Sequence, residues 1–259
     1  MRHNETPKWL SLFITAFGAK GLVTLAWWLG ALHAERIRVQ QHSYPFLELI
    51  GGAGYGRSQL LSALWKLIGS EGSENINASN SRRLPVLRKI NGTDNWPCVI
   101  EEPVRADQPF DWDALKPCFN GDMAIRAKPG QEQPKFKGAL VILGNPPISE
   151  AMRSRVVCVQ LEQPEKPEAA AQALRDLLDL HSTDSLDFYE TVKAAGERLE
   201  GLLQHTTAYF LHPHSNKRAA LNHAQLHALL GVLDDLFVLP TDAREDAHIE
   251  IAAMTLITD

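Results

Sequence analysis

The sequence predicts an α/β protein, in which a parallel sheet flanked by helices is followed by a small helical domain. Two observations carry this prediction. Short apolar runs alternate with stretches of helical period in the first two thirds of the chain, whereas only helical patterns follow the proline-bracketed stretch QPEKP at 163–167. We therefore divide the chain into an amino-terminal helical segment, 1–44, a core, 45–164, and a carboxyl-terminal helical domain, 165–259.

The composition is that of a globular chain with a sizeable core. It has 259 residues, 44% hydrophobic and 22% charged, with a net charge of −5. Because the whole molecule is not a polycation, any contact with nucleic acid must use local basic patches. The three cysteines are far apart and form no CxxC pair, which argues against a disulfide framework or a cysteine zinc site and favours a reducing cytoplasm.

The apolar stretch at 10–34 is expected to be a buried helix that enters the core. Lys20 interrupts it and His33 closes it, whereas a membrane span needs about 20 consecutive apolar residues. We expect no membrane contact; a membrane hairpin is the alternative.

The core shows four runs typical of buried strands. They are YPFLELIGG at 44–52, PCVIEEP at 97–103, GALVILGNPP at 138–147 and RVVCVQLE at 155–162. The pattern from Ser58 to Ile68 predicts a helix that stops at Gly69. The polar stretch 69–81 predicts a loop, and 82–95 follows as a basic cluster.

A glycine-rich turn joins the first strand to this helix. It matches the phosphate-binding pattern G-x-x-x-x-G-K-[ST], except that arginine stands in the lysine position. Its residues are Gly51, Gly52, Ala53, Gly54, Tyr55, Gly56, Arg57 and Ser58, with Gln59 next. Glycines let backbone N–H groups approach phosphate oxygens, and the helix amino end adds positive charge. The pattern predicts ATP binding, with Ser58 as a ligand of Mg²⁺; a turn without function is the alternative.

Arg57 keeps the positive charge of the usual lysine but not its shape. Lysine is a compact point charge, whereas guanidinium is planar and bulkier. Nucleotide binding with slow turnover is the expected consequence.

Polar residues after the next strands complete a hydrolytic set. Glu101 and Glu102 follow an apolar run, where carboxylates hold the magnesium shell and orient the attacking water; Glu101 is the predicted metal ligand. Asn145 follows another run and could contact the γ-phosphate. Arg153 and Arg155 could supply an arginine finger to a neighbouring subunit. A solvated acidic pair, a plain turn and surface ion pairs are the respective alternatives.

Basic residues flank a Pro/Gly-rich tip typical of a β-hairpin. They are Arg126, Lys128, Lys135 and Lys137. Such a hairpin could follow a phosphate backbone. A second basic cluster comprises Arg82, Arg83, Arg88 and Lys89, and a solvated face is the alternative for both.

Taken in order, these motifs resemble superfamily 3 helicases, especially the P-loop ATPase domain of poxvirus-type and mobile-element primase-helicases within the AAA+ class. The likeness covers roughly residues 25–162, from the loop through VIEE and FNGD to VILGNPPISEAMRSRVV. It implies Walker A roles for Arg57 and Ser58, Walker B roles for the glutamates, a sensor role for Asn145 and the finger role for Arg155. It further implies a ring, often a hexamer, that hydrolyses ATP while moving on single-stranded or forked DNA, with a primase as a possible partner.

Two other functions stay open at this point. Arg57 is also compatible with a degenerate nucleotide-binding scaffold or regulatory protein that hydrolyses little ATP. A zinc module could use His223 and His227, four residues apart on one helical face, with His212 and His214 nearby, although ordinary surface histidines are the simpler interpretation.

Overall fold

In a computed structural model the chain is built around a five-stranded parallel sheet. The structure describes residues 5–52, 54–70, 75–78, 83–101, 110–125, 134–144, 146, 148–211 and 216–258. The strands are β1 (Phe46–Ile50), β2 (Ile76–Asn77), β3 (Pro97–Glu101), β4 (Ala139–Leu143) and β5 (Val156–Gln160). Their order is β2-β3-β4-β1-β5, and each neighbouring pair is parallel. The four strands predicted from apolar runs are confirmed.

Helices fill the connections and most of the carboxyl-terminal third. They are α1 (Lys8–Ala31), α2 (Ala34–Gln41), α3 (Arg57–Leu67), α4 (Arg83–Asn91), α5 (Lys116–Phe119), α6 (Glu150–Arg153), α7 (Pro167–Leu178), α8 (Ser182–Ser185), α9 (Asp187–Ala194), α10 (Gly196–Phe210), α11 (Lys217–Phe237) and α12 (Thr241–Thr258). A 3₁₀ turn, Trp112–Leu115, precedes α5. The predicted α/β class with a helical carboxyl-terminal part is confirmed.

One prediction for the stretch between β1 and β3 was wrong in part. The stretch 69–81 was expected to be a loop, yet it contains β2, whose two residues pair with Ile100 and Glu101 of β3. The basic cluster at 82–95 contains helix α4, whose residues Val86, Leu87 and Ile90 are buried. Helical spacing of only three apolar positions among basic residues was too weak a signal to reveal it.

The sheet separates two apolar layers, because successive side chains of a strand point to opposite faces. Leu47 and Leu49 of β1 belong to the layer that contains α1, α3, α7, α11 and α12. Phe46 belongs to the other layer, with Phe119, Phe136 and parts of α4. Burying a large apolar side chain contributes roughly 1.5–3 kcal/mol, so both layers stabilise the position of β1 and of the loop that follows it.

Helix α1 is a core element, as predicted. It is the one helix in the described ranges that is long and apolar enough to cross a membrane by length and composition. Trp9, Trp27 and Trp28 are nevertheless buried, and α1 packs against α7, α11 and α12. The helix is interrupted at Gly18, where φ is 59° and ψ is −154°.

The predicted division into three domains stays a prediction. One hydrophobic cluster runs from α1 through the sheet to α11 and α12. The amino-terminal and carboxyl-terminal segments therefore share a core with the sheet.

Candidate nucleotide-binding site

The glycine-rich loop lies at the carboxyl edge of the sheet, between β1 and α3. This is the edge at which α/β proteins usually bind ligands. Gly54 and Gly56 have φ values of 83° and 85°, in the left-handed region that glycine adopts without strain. The backbone of Gly51 packs against Leu161, so that a Cβ there would lie 3.2 Å from the Leu161 carbonyl oxygen. The strand–loop–helix context required of a phosphate-binding loop is therefore present.

The amino end of α3 is open toward this loop. Gly56 occupies its N-cap position and provides no side-chain cap hydrogen bond. Ser58 and Gln59 are exposed, and Arg57 is half-buried. Backbone N–H groups in the first turn of a helix have no helical acceptor and favour an anion, so a phosphate group would meet several donors here.

Two cavities flank the loop. The first, named the α3 cavity, has a volume of about 860 Å³ and is lined by Arg57, Ser58 and Glu101, among others. The second, named the α1 cavity, has a volume of about 750 Å³ and is lined by Gly54, Gln59 and the interrupted part of α1, among others. Both volumes lie within the range of about 300–1,000 Å³ that small-molecule sites occupy.

The α3 cavity contains the predicted metal ligands. Ser58 contributes a hydroxyl group and Glu101, at the end of β3, contributes an exposed carboxylate. Oxygen donors of these two types are those that Mg²⁺ accepts in nucleotide sites. Asn75 also lines this cavity, and its side-chain amide donates a hydrogen bond to Glu101 Oε2 at 3.4 Å. Sequence reasoning missed Asn75, because it lies in the stretch interpreted as a loop.

Five predicted site residues lie outside the described residues. They are Ala53, Glu102, Asn145, Arg126 and Lys128. Their assignments stay predictions.

Arg153 and Arg155 lie at the opposite edge of the sheet from the loop. The Phe46 N–H group, at the start of β1, donates to the Arg155 carbonyl at 2.9 Å. The loop begins after Ile50, about 13 Å further along the strand at the usual rise per residue. The backbone of both arginines therefore lies at the amino end of β1, away from the loop of their own chain.

The two arginines differ in their surroundings. The Arg155 guanidinium lies 5.7 Å from the centre of the Phe119 ring and donates to the Ala151 carbonyl. Burial, and secondarily the neighbouring Arg218, lowers the pKa of Arg155. Arg153 is exposed at the end of α6.

Glu48 is a buried carboxylate in the middle of β1 that sequence reasoning treated as part of an apolar run. It is 1% exposed and aligns with Cys158 of β5. Burial raises the pKa of Glu48, while the positive charge of Arg153 and a hydrogen bond with Cys158 oppose this shift. Because apolar residues precede and follow Glu48 in the sequence, the run was interpreted as a strand and Glu48 was assigned no role.

The base of the predicted hairpin is present in the described residues. Asp122 and Lys135 form an antiparallel bridge, and Lys135 Nζ lies 2.7 Å from Asp122 Oδ1. Lys137 Nζ lies 3.6 Å from Glu35 Oε1. Because exposed ion pairs contribute only about 0–1 kcal/mol, both lysines can exchange these partners for phosphate groups.

A buried arginine holds this hairpin base. Arg38 of α2 is 6% exposed and donates to the carbonyls of Phe119, Phe136, Lys137 and Gly138, with the last bond at 2.8 Å. Burial lowers the pKa of Arg38 to about 10. Sequence reasoning assigned this residue no role, since it lies in a plain charged stretch.

Two of the histidines considered for zinc, His212 and His214, lie outside the described residues. His223 is buried, whereas His227 Nδ1 lies 2.8 Å from His248 Nδ1 on α12. Within the described ranges, no group of three or more His, Cys, Asp or Glu side chains could hold a metal ion.

Comparisons with known proteins bear on the fold. No protein-family model and no curated protein matches the sequence. Among solved structures, "SCCmec type IV Cch - active helicase" superposes with a TM-score of 0.69 at 14% identity, over 96% of this chain and 50% of that chain. The chain has a helicase-like P-loop NTPase fold.

The matched solved structures are longer than this chain and share little sequence with it. The chain spans half the length of the Cch helicase chain. A structure of JCV helicase matches over 92% of this chain and 60% of its own, at 12% identity and a TM-score of 0.35, which is too low to support an argument. At 14% identity the likeness to the Cch helicase shows the fold.

Proposed function

We propose that this chain binds ATP with Mg²⁺ at the loop and hydrolyses it as the motor of a DNA helicase or translocase. The observation that carries the proposal is the meeting of Arg57, Ser58 and Glu101 in one cavity at the carboxyl edge of the sheet, beside the open amino end of α3. Backbone N–H groups of the loop would bind the phosphate oxygens, and Ser58 and Glu101 would hold the ion. Bound Mg²⁺ would neutralise charge on the phosphates.

Calorimetry with Mg-ATP tests the proposed site. The double substitution Arg57→Ala and Ser58→Ala is expected to abolish binding, because it removes the cationic side chain and the hydroxyl ligand together. Ser62→Ala is the matched control, since Ser62 lines the same cavity one turn further along α3 and its hydroxyl donates to the Ser58 carbonyl at 2.9 Å. Unchanged affinity in the double variant would refute the site.

Turnover depends on the shape of the cation in the loop. Arg57→Lys is expected to raise the ATPase rate, because a compact ammonium fits beneath the phosphates better than a planar guanidinium. A lower rate would show that the site is adapted to arginine. If the wild-type chain binds Mg-ATP without hydrolysing it, with or without single-stranded DNA, the chain is a nucleotide-binding scaffold, which Arg57 also supports.

The active site is completed by a second copy of the chain in a ring. Arg153 and Arg155 support this, because their backbone lies at the amino end of β1, away from their own loop, and an exposed Arg153 is accessible to a neighbour. Removing an arginine finger costs about 10³-fold or more in rate. Mixing Arg153→Ala subunits with loop-defective subunits should restore activity at interfaces that pair an intact arginine with an intact loop. The same mixture with Arg155→Ala compares the two arginines, and a chain that stays monomeric with ATP and DNA would exclude the ring.

DNA contacts are proposed at the hairpin, at the edge of the sheet opposite the nucleotide. Lys135 and Lys137 at its base support this assignment, together with Arg126 and Lys128 from the sequence. Single-stranded or forked DNA is the expected partner, with a primase as a further candidate, in the cytoplasm of a replication or mobile-element system. Substituting both base lysines by alanine should weaken DNA binding and reduce its salt dependence, while leaving Mg-ATP affinity unchanged.

A further inference from the structure

The break in α1 creates an unusual position for a lysine. At Gly18 the backbone adopts φ 59° and ψ −154°, a combination essentially restricted to glycine. The helix resumes after this residue, which places Lys20 in the first turn of its second part. The amino end of a helix carries partial positive charge and disfavours a cation. The positive charge of Lys20 therefore destabilises this end of the helix, whereas an anion bound there would be stabilised.

The same break forms one wall of the α1 cavity. Residues 14–20 line this cavity together with Gly54, Tyr55, Gly56 and Gln59 of the loop and of α3. The part of α1 that carries Lys20 therefore faces the same space as the loop tip. Arg57 lines the α3 cavity instead.

Lys20 has an anionic partner that can be replaced. Its Nζ atom lies 2.9 Å from Glu162 Oε1, and the two side chains are 18% and 66% exposed, respectively. The lysine is thus held in the cavity wall, whereas the glutamate is open to water. Because water competes for the largely exposed carboxylate of Glu162, the ammonium group can leave it for a stronger anion.

The charged side chains that line the α1 cavity are mostly negative, so the ammonium group of Lys20 is one of few positive charges there. Those with a negative charge are Glu162, Glu165, Asp246 and Glu250, and those with a positive charge are Lys20 and Lys166. Because carboxylates outnumber the lysines, an anion near the loop tip requires local positive charge. Lys20 can supply it from α1.

We propose that Lys20 binds a phosphate group of the nucleotide and so supplies, from α1, the ammonium group that the loop lacks. The inference rests on the proposed function, because it assigns a further contact to the same nucleotide. On binding, Lys20 Nζ exchanges the Glu162 carboxylate for a phosphate oxygen, and Glu162 turns into water.

Two variants of one ion pair separate this role from a structural one. In calorimetry with Mg-ATP, Lys20→Met should weaken binding by about 10- to 100-fold, the loss expected for a hydrogen bond between charged groups. Glu162→Gln should instead tighten binding, because it removes the competitor for the ammonium group. Both variants break the same ion pair. If the pair only ties α1 to the end of β5, both substitutions would change the affinity in the same direction, and this result would overturn the proposal.

Controls identify the group that Lys20 contacts. Lys166→Met removes the same charge from the same cavity and should leave the affinity nearly unchanged; an equal loss would mean that bulk charge is responsible. Lys20→Arg should retain most of the binding. Inorganic tripolyphosphate, used as a competitor, should lose affinity for Lys20→Met by the same factor as ATP. Undiminished tripolyphosphate binding would place Lys20 at the base or ribose and refute the phosphate contact.

Different results would refute nucleotide binding by the chain and phosphate binding by Lys20. If the wild-type chain does not bind Mg-ATP, the proposed function fails. If the wild-type chain binds Mg-ATP and a folded Lys20→Met variant binds it equally well, only the role of Lys20 fails. Should Lys20→Met prove too unstable to test, Glu162→Gln and Lys20→Arg decide the question on their own, because weaker binding by Glu162→Gln would refute the exchange.

Discussion

Gly18→Ala is expected to destabilise the protein through backbone conformation alone. A Cβ built at Gly18 has no atom within 4 Å, so the substitution creates no steric clash with neighbouring groups. The φ of 59° and ψ of −154° must nevertheless be imposed on an L-residue, at a cost of about 1–3 kcal/mol. For a chain of this size, that cost corresponds to a decrease in melting temperature of roughly 2–12 °C. Urea unfolding and thermal melting measure the effect.

Gly231→Ala is the matched control, because it is chemically the same substitution. It lies inside α11, a Cβ there also has no atom within 4 Å, and its φ lies outside the left-handed region. Since alanine favours a helix over glycine by about 0.5–1 kcal/mol, this variant should be more stable than the wild type. The two substitutions should thus have opposite signs. A Gly18→Ala variant as stable as the wild type would refute the reasoning and would mean that α1 can continue through residue 18 at no cost.

Two further predictions concern buried charges. Arg38→Met should lower the free energy of unfolding by about 3 kcal/mol, because each buried group left without its hydrogen-bond partner costs about 1–3 kcal/mol. Arg88→Met, on the exposed side of α4, should change this free energy by less than about 0.5 kcal/mol. Equal effects of the two substitutions in urea unfolding would contradict the role given to Arg38. Glu48→Gln should be more stable than the wild type at neutral pH. Because burial raises the pKa of Glu48 in the folded state above 4.5, the wild type loses stability as pH rises above that value, and the advantage of the variant should disappear on acidification in unfolding curves measured across pH.

Much of the sheet could be predicted from the sequence, because its long strands are buried on both faces. Such strands form continuous apolar runs, and glycines or prolines bound them. Strand β2 could not be predicted in this way, since its residues Ile76 and Asn77 are only two and lie in a polar stretch. Its position comes from pairing with β3, a tertiary contact that no local pattern carries.

The loop could also be predicted, because the requirements of phosphate binding fix residue types at fixed spacing. Lys20 and Asn75 escaped prediction for the opposite reason. Each lies far from the loop in sequence, and each lines a cavity beside the loop only in the folded chain. Lys20 was interpreted only as an interruption of an apolar helix, although the neighbouring glycine breaks that helix beside the loop.

The amino-terminal segment contacts both edges of the sheet at which sites are proposed. At one end, the break in α1 lines the cavity beside the loop tip; at the other, Arg38 of α2 holds the base of the hairpin proposed to contact DNA. Between them, the second part of α1 is a buried helix about 20 Å long at the usual rise per residue. The segment thus provides a continuous helical element between the proposed nucleotide contact of Lys20 and the hairpin base. A segment that the sequence presents only as an apolar helix entering the core therefore links the cavity beside the loop tip to the base of the hairpin.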